Sequence, residues 1–598
     1  MPLSGAAGVN LGTENMPVQQ VGYRRFYAML LSEHPMMTER VNAVQEGALR
    51  TVRQIVNEHG AEIGCVHYIG ASFAPTLTTL LQLKQLGKID PFKEEPRLAK
   101  FAKFFMHFQT PPELRFGPHR KNISTGDGPT ESSEMLGMLG TGFRDADPEL
   151  AAKLMGAWNA GGKPHSGFFG SSLLMIDENA PAMDPRLGSA SFPGYYSVLR
   201  HGWGTPNETA VWFLNGDFYR DHRHADRGTV IMYALGVPLS LDWGPQYAPH
   251  TGGGIMHSVV LPENQLGQPW DQDVKSLGGG GTWGSSTGEA FVAFRTAAYA
   301  RGKMISGGTS WTRETFSLHP NEAYPALLIR DTFAGESAAS PKVFTLNLMA
   351  EGTVQTPAGP MTPPLRTWGD GYDTKITHEY PSAGQVFTLQ PGVSRLGFAG
   401  IQFGTAANPA IALDFDLYTI SDEARQAHIG NWANNWVGGA AGDFQRVNGK
   451  PYEERQHILR IKGTGAFTTL ILPWRKGKPR AATVTREGAL LVITAGDERY
   501  AIGDQHYSYV RGPLRALTFF GTGRAAGEGI SVEGGPMEVL LETTTAVLTA
   551  HGAPGQRAFT LPGVWKTKDP KAPIKQVGGV WVLDYPGGEA MTMVLERR

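Results

Sequence analysis

The sequence predicts an α+β multidomain protein, with a helical N-terminal third followed by antiparallel β-sandwich domains. Three observations point there. Apolar residues recur at helical spacing as far as Trp158 and at strand spacing from Ser197 onward. The strand-rich part shows no alternating strand–helix rhythm and no phosphate-loop fingerprint. Gly 76 and Pro 41 supply the turns that many short strands require. A chain of 598 residues is too long for one core, and an apolar fraction of 41% suits about three packed domains. The boundaries fall at 1–190, 195–474 and 475–598.

The helical region is built from separate apolar stripes. Met37, Val41, Val44, Ala48, Val52 and Ile55 recur at three and four residues, and Gly60 ends that helix. Leu98, Phe101, Phe105 and Phe108 repeat the pattern until Pro111 and Pro112 stop it. Leu150, Leu154 and Trp158 mark a third helix. None of these stripes buries itself alone, so the helices must pack on one another. Around Pro181–Pro193 the composition shifts to Gly, Ser and Pro, as in a linker. Val211–Leu214, Thr229–Leu241, Glu289–Phe294, Ala326–Ile329, Val343–Leu348, Ile411–Tyr418 and His457–Lys462 then read as strands. The last region continues in β with Ala481–Thr485, Ala489–Ile493 and Met537–Thr543. The glycine run at Gly438–Gly442 lacks the strand–helix context of a phosphate loop.

Charge narrows the partners. Lys and Arg number 54 against 55 Asp and Glu, for a net −1, so no global basic surface invites nucleic acid. No run of 18 apolar residues marks a membrane-spanning helix. Cys65 is the sole cysteine, which excludes an intrachain disulfide. Met1–Asn10 shows no basic head followed by an apolar stretch, so no secretory signal is visible.

The chemistry concentrates between Asp221 and His257. His222 and His224 are two apart, which on a strand puts both on one face, with Arg223 on the other. Asp226 extends the face, and Asp242 closes the apolar run Ile231–Leu241. His257 follows a loop containing Gly252–Gly254. Two imidazoles and a carboxylate at His224, Asp242 and His257 are a nitrogen/oxygen set that suits zinc. Read alone, the same residues also suit an exposed strand, a turn and a hydrogen-bonded core histidine.

The pattern Asn215-Gly216, His222-x-His224-x-Asp226-x-Gly228, Gly236, Asp242-x-Gly244, Tyr247 and His257 resembles the heparinase II/III-like domain of polysaccharide lyases. The resemblance implies an (α/α) toroid before a β-sandwich, with the substrate cleft between them. It implies that His222 is catalytic and that His224, Asp242 and His257 hold a structural zinc, with Asp226 orienting a histidine. Glu62-Ile63-Gly64-Cys65-Val66-His67-Tyr68 is similar to the motif that opens a helix with the catalytic tyrosine, which makes Tyr68 that residue, with His67 beside it as a substrate contact. Asn15, followed by Met16 where an aromatic is expected, falls near the position of the polar residue that neutralises the substrate carboxylate. Tyr247 is a further proton carrier, and His119, Arg120 and Arg223 are substrate contacts. In the lyases, loops such as Phe116–Arg120 and Gly126-Asp127-Gly128 line the cleft, although Asp127 also reads simply as a helix cap. A complete toroid needs more than about 190 residues, so this one is short or lacks upstream helices.

The implied reaction is β-elimination at a uronic acid unit. A donor stabilises the charge that develops on the carboxylate, a base takes the C5 proton and an acid protonates the departing C4 oxygen. A tyrosine with an ordinary pKa of about 10 needs nearby positive charge or donors to act as the base. The polymer stays open among alginate, heparan-type glycans, hyaluronan and ulvan, and Trp432, Trp436 and Trp474 suit stacking on sugars or core packing. A periplasmic or secreted location and a homodimer are further expectations. The competing readings are an inactive carbohydrate-binding protein and a zinc-dependent hydrolase.

Overall fold

Helices come first because their apolar stripes need one another. The computed structural model describes residues 15–115, 117–165, 172–242, 252–272, 280–363, 365–367, 385–403, 411–434 and 454–598. Helix α1 (Asn15–Leu30) and helix α3 (Val66–Gln85) pack side by side, with α2 (Thr38–Ile55) between them in sequence. The stripe expected in α2 is buried at Val41, Val44, Ala48, Val52 and Ile55. Gly60 beyond it has φ +93, and a side chain there would strike the Lys100 backbone at 2.4 Å, so glycine is required at that turn.

Sequence periodicity marks neither α1 nor the body of α3. For α3 the reason lies in burial: 14 of its 20 residues are covered, so it has no polar face to set against an apolar one. Pro75 inside α3 lies against Gly22 of α1, where a Cβ would meet the proline side chain at 2.6 Å. The absent side chain of Gly22 is what lets the two helices approach. Short α4 (Pro91–Glu94) precedes α5 (Pro96–Met106), whose Leu98, Phe101 and Phe105 are buried as expected. Pro111 and Pro112 then belong to strand β1 (Gln109–Pro112), paired with β2 (Arg120–Asn122). The segment read as a loop between helices is therefore partly a hairpin. Helices α6 (Met135–Phe143) and α7 (Pro148–Ala160) follow, and the Asp147 side chain caps α7 by accepting from the Leu150 N–H at 3.0 Å.

The first large sheet runs in the order β3 (Ala190–Phe192), β4 (Tyr196–His201), β5 (Thr209–Leu214), β6 (Val230–Ala234) and β7 (Val237–Ser240). Thr229–Leu241, expected as one apolar run, is split at Leu235 and Gly236. Both have positive φ, 51 and 74, the pairing that a tight antiparallel hairpin demands. Helices and this sheet share one continuous apolar core that extends through Val343–Leu348 to Ile471. Next in the chain come a nine-stranded antiparallel sheet, from Ser285–Ala293 at one edge to Gly359–Met361 at the other, and a sheet of six strands around Glu454–Gly463. The final region holds a nine-stranded and a five-stranded sheet, with Leu517, Val539, Phe559 and Leu583 among the residues buried in their common core. A second apolar cluster, including Tyr299, Phe316, Leu470, Tyr500 and Phe520, joins that region to the central nine-stranded sheet.

Candidate active site

Three segments distant in sequence meet at the start of α3. The first is the turn before the helix, residues 62–65. The second is the connection 215–229 between neighbouring strands β5 and β6. The third is the stretch 122–134 after β2. Ile63 C=O accepts from the N–H groups of Arg220 and Asp221, both at 2.9 Å, and Cys65 N–H donates to Asp221 C=O at 3.1 Å. Val66 N–H, an orphan donor of the first helical turn, donates to Thr125 Oγ1 at 3.2 Å. Tyr195 OH donates to Gly64 C=O at 3.0 Å and lies 3.2 Å from Thr125 Oγ1. The base of the 215–229 connection is pressed against the β3–β4 turn: a Cβ on Gly216 would lie 1.9 Å from Gly194 C.

His222 and His224 do not sit on a strand. They lie in the irregular β5–β6 connection, and His222 has φ +53, a left-handed conformation that few non-glycine residues adopt. One side chain nonetheless reaches both of them. His222 Nδ1 is 2.8 Å from Asp127 Oδ2, and His224 Nε2 is 2.8 Å from Asp127 Oδ1. The same carboxylate thus grips both rings. Burial works against its charge, but the bonds from His224 and His222 prevail and hold the Asp127 carboxyl below the usual range.

The first turn of α3 carries Tyr68 into contact with this pair. Its ring stacks on His222 with centroids 3.5 Å apart and planes within 7°. His67 meets the Tyr68 ring edge-on at 5.1 Å and 88°. His67 Nδ1 is 2.9 Å from Glu131 Oε1, and each side chain keeps close to a third of its surface exposed. Burial lowers the His67 pKa, but Glu131, Asp127 and Glu134 together raise it above the ordinary value. Glu134 is pushed up to about 7 by burial and by Glu131. One phenol is therefore flanked by two imidazoles, each backed by a carboxylate.

Asn15 begins α1. Gln19 Nε2 donates to Ala71 C=O at 3.2 Å and Gly22 meets Pro75, so α1 and α3 run parallel. One turn back along α1, Asn15 lies level with the first turn of α3, where His67 and Tyr68 stand.

The substrate-contact residues divide. His119 is exposed, with its ring against Gly162. Arg120 is a correction: it is 5% exposed, donates to Glu208 through both terminal nitrogens at 3.0 and 2.7 Å, and stacks on Trp203 at 3.5 Å. A guanidinium so committed does not grip a sugar. Arg223 is the second correction. It donates to Tyr219 C=O and His224 C=O and lies 3.5 and 3.6 Å from Asp217 and Asp226, with its side chain 7% exposed. Tyr247 and Trp436 lie outside the described residues. Trp474 is buried in Phe467–Arg475.

The expected zinc ligands lie in one buried patch. The rings of His224 and His257 are 5.4 Å apart, and His257 Nδ1 is 2.8 Å from Asp242 Oδ1. The donor chemistry suits zinc. His257 Nε2 is buried without a hydrogen bond. Yet His257 and Asp242 stand at hydrogen-bond separation, and among the described residues no group of three or more His, Cys, Asp or Glu is arranged to hold a metal ion. Asp226 is fully buried, accepts from Tyr219 OH at 3.2 Å and is pushed up in pKa by burial.

The sequence did not single out Glu131, and it left Asp127 either in a cleft-lining loop or as a helix cap. The signal for Asp127 was present in Gly126-Asp127-Gly128. Gly126 has φ +52, and a Cβ on it would meet His222 C=O and Tyr219 OH at 2.3 Å, while one on Gly128 would meet His67 N at 3.1 Å. Paired glycines around a carboxylate mark a backbone that must come close to its partners.

No family model matches the sequence, and no curated protein matches it. The fold does match solved structures. Heparinase III aligns with TM-score 0.52 and 13% identity, over 83% of this chain and 67% of that one. Heparan sulfate lyase HepC from Pedobacter heparinus aligns with TM-score 0.51 and 11% identity, over 83% of this chain and 66% of that one. The chain thus spans about two thirds of the length of these structures. It shares the fold of these two structures, a helical region followed by many antiparallel sheets. In this chain Tyr68 and His222 stand face to face where the two regions meet.

Proposed function

We propose that this protein is a polysaccharide lyase that cleaves a uronate-containing glycan by β-elimination. The observation that carries the reading is the contact of Tyr68 with His222, two proton-carrying groups brought together from the helical and sheet regions. Stacked at 3.5 Å, the rings present their edges side by side and not to each other, which suits two groups acting on different atoms of one sugar. The name of one of the two solved structures, a heparan sulfate lyase, supports the same class of chemistry.

In this reading Asn15 and His67 face the uronate carboxylate and stabilise the enolate-like charge that builds on it. A base removes the C5 proton, the released electron pair forms the C4–C5 double bond, and the C4–O bond breaks. An acid protonates the departing oxygen. Tyr68 and His222 share these two duties, and the stereochemistry at C5 decides which is the base. With Nδ1 donating to the Asp127 carboxylate, His222 keeps Nε2 as its acceptor. His119 is the remaining exposed candidate for substrate contact.

Zinc at His224, Asp242 and His257 is part of the proposal as a structural ion only. It would be held by His224, His257 and the Asp242 carboxylate, and would tighten the connection that carries His222. No step of the elimination depends on it.

The test is incubation with a panel of uronate polymers, sulfated and unsulfated, followed by ultraviolet absorbance. A rising signal from a C4–C5 double bond on one of them is expected, and its loss in His222→Ala ties it to this site. Glycan binding with no unsaturated product across the panel would leave a binding protein and overturn the proposal.

A further inference from the structure

Asp127 stands out among the buried groups, because its two carboxylate oxygens each take a different histidine. Oδ2 is 2.8 Å from His222 Nδ1, Oδ1 is 2.8 Å from His224 Nε2, and the Asp127 N–H donates to His222 C=O at 3.1 Å. His222 is thereby held at both its ring and its backbone by one residue. The two histidines lie on a connection without regular secondary structure, and His222 is in a left-handed conformation that is unfavourable unless its surroundings enforce it. The surroundings that do so are Gly126 and Asp127. Gly126 leaves room only for hydrogen at His222 C=O and Tyr219 OH, and the turn 125–128 is tied to the first turn of α3 by Thr125. The turn that fixes His222 therefore also fixes the helix that carries Tyr68.

We propose that Asp127 is the positioning residue of this site. It orients the His222 ring parallel to Tyr68 and keeps the proton on Nδ1, so that Nε2 faces the substrate as an acceptor. Its second oxygen locks His224, which anchors the connection at its buried end. Asp127 need not touch the sugar, since it acts through His222. The catalytic consequence rests on the lyase reading, whereas the structural arrangement does not.

Two measurements test this. Nitrogen NMR of the wild-type protein with labelled histidine, assigned by His222→Gln, reads the tautomer of His222 directly. The Nδ1–H form is expected at neutral pH. The Nε2–H form would overturn the proposal, whether or not any glycan is cleaved, so this outcome is separable from failure of the lyase reading. Asp127→Asn keeps the shape but removes the charge, and offers one oxygen to two rings. By analogy with a hydrolase triad, where the same change behind a histidine costs about 10⁴ in turnover, kcat falls by two to four orders of magnitude with KM unchanged. A kcat equal to wild type in the folded variant would also refute the role. If Asp127→Asn does not fold, the wild-type tautomer still decides.

Discussion

Tyr68→Phe separates chemistry from packing at this site. The substitution removes one hydroxyl and keeps the ring. The stack on His222 at 3.5 Å and 7°, and the edge contact with His67 at 5.1 Å, involve ring atoms that phenylalanine also has. The stability change is then that of one hydrogen-bonding group, about 1 kcal/mol. The effect on turnover is much larger. Losing a positioned proton carrier typically costs about 10²–10⁴ in rate, or roughly 3–5 kcal/mol of barrier at 25 °C. Tyr68→Ala makes the contrast: it also discards the aromatic stack and part of the cover on α3, adding about 2–4 kcal/mol of destabilisation. The assay is initial rate of double-bond absorbance on the best uronate polymer, with Tm measured in parallel. Tyr68→Phe retaining more than about a tenth of wild-type kcat would refute the assignment of Tyr68 to proton transfer.

Other perturbations probe the surrounding framework. Glu62 is fully buried beside the turn before α3, and burial raises its pKa from 4.5 to about 8. A raised carboxyl pKa costs stability as pH climbs from the unfolded value to the folded one. Stability should therefore decline between pH 4.5 and 8 by up to about 5 kcal/mol, and Glu62→Gln should flatten that decline in urea titrations across pH. Arg120→Ala breaks a buried pair with Glu208, which keeps Arg200 at 2.8 Å. A loss of about 3 kcal/mol with unchanged KM is expected, whereas a raised KM at full stability would restore Arg120 as a substrate contact. Zinc added to chelator-treated protein should raise Tm, by about 2.7 kcal/mol of stability at a hundredfold excess over Kd, and Asp242→Ala should abolish the rise. No rise in wild type would show that hydrogen bonds alone hold the patch.

The parts of the fold legible in the sequence were those whose surroundings differ on two sides. Helix α2 and helix α5 each expose one face, so the stripes at Val41–Ile55 and Leu98–Phe105 were readable. Helix α3 is covered on nearly every side and contains Pro75, which hides its period, and only the short motif ending in Tyr68 marked its start. The split at Leu235 and Gly236 was missed because both flanking strands are fully buried and read as one apolar run. At the site, His222, His224, Asp242 and His257 were visible through residue type and spacing, and the structure draws them into one neighbourhood. Their expected strand was wrong, because a His-x-His spacing is equally compatible with a turn held by outside partners. Arg120 and Arg223 show the complementary limit. A guanidinium in a polar loop looks available until its carboxylate partner is placed beside it: Glu208, 88 residues away, for Arg120, and Asp226, in the same loop, for Arg223. Asp127 was undervalued for the same reason: its partners are about 95 residues away.

The central claim is that Tyr68 and His222 meet to eliminate, without water entering the bond that breaks. Cleavage in heavy-oxygen water, with products analysed by mass spectrometry, tests it most directly. The account predicts that both fragments remain unlabelled, that their masses sum to that of the parent chain, and that the new non-reducing end is unsaturated. Label incorporated at the cleavage site, with one added water per cut and no double bond, would contradict it and identify a hydrolase.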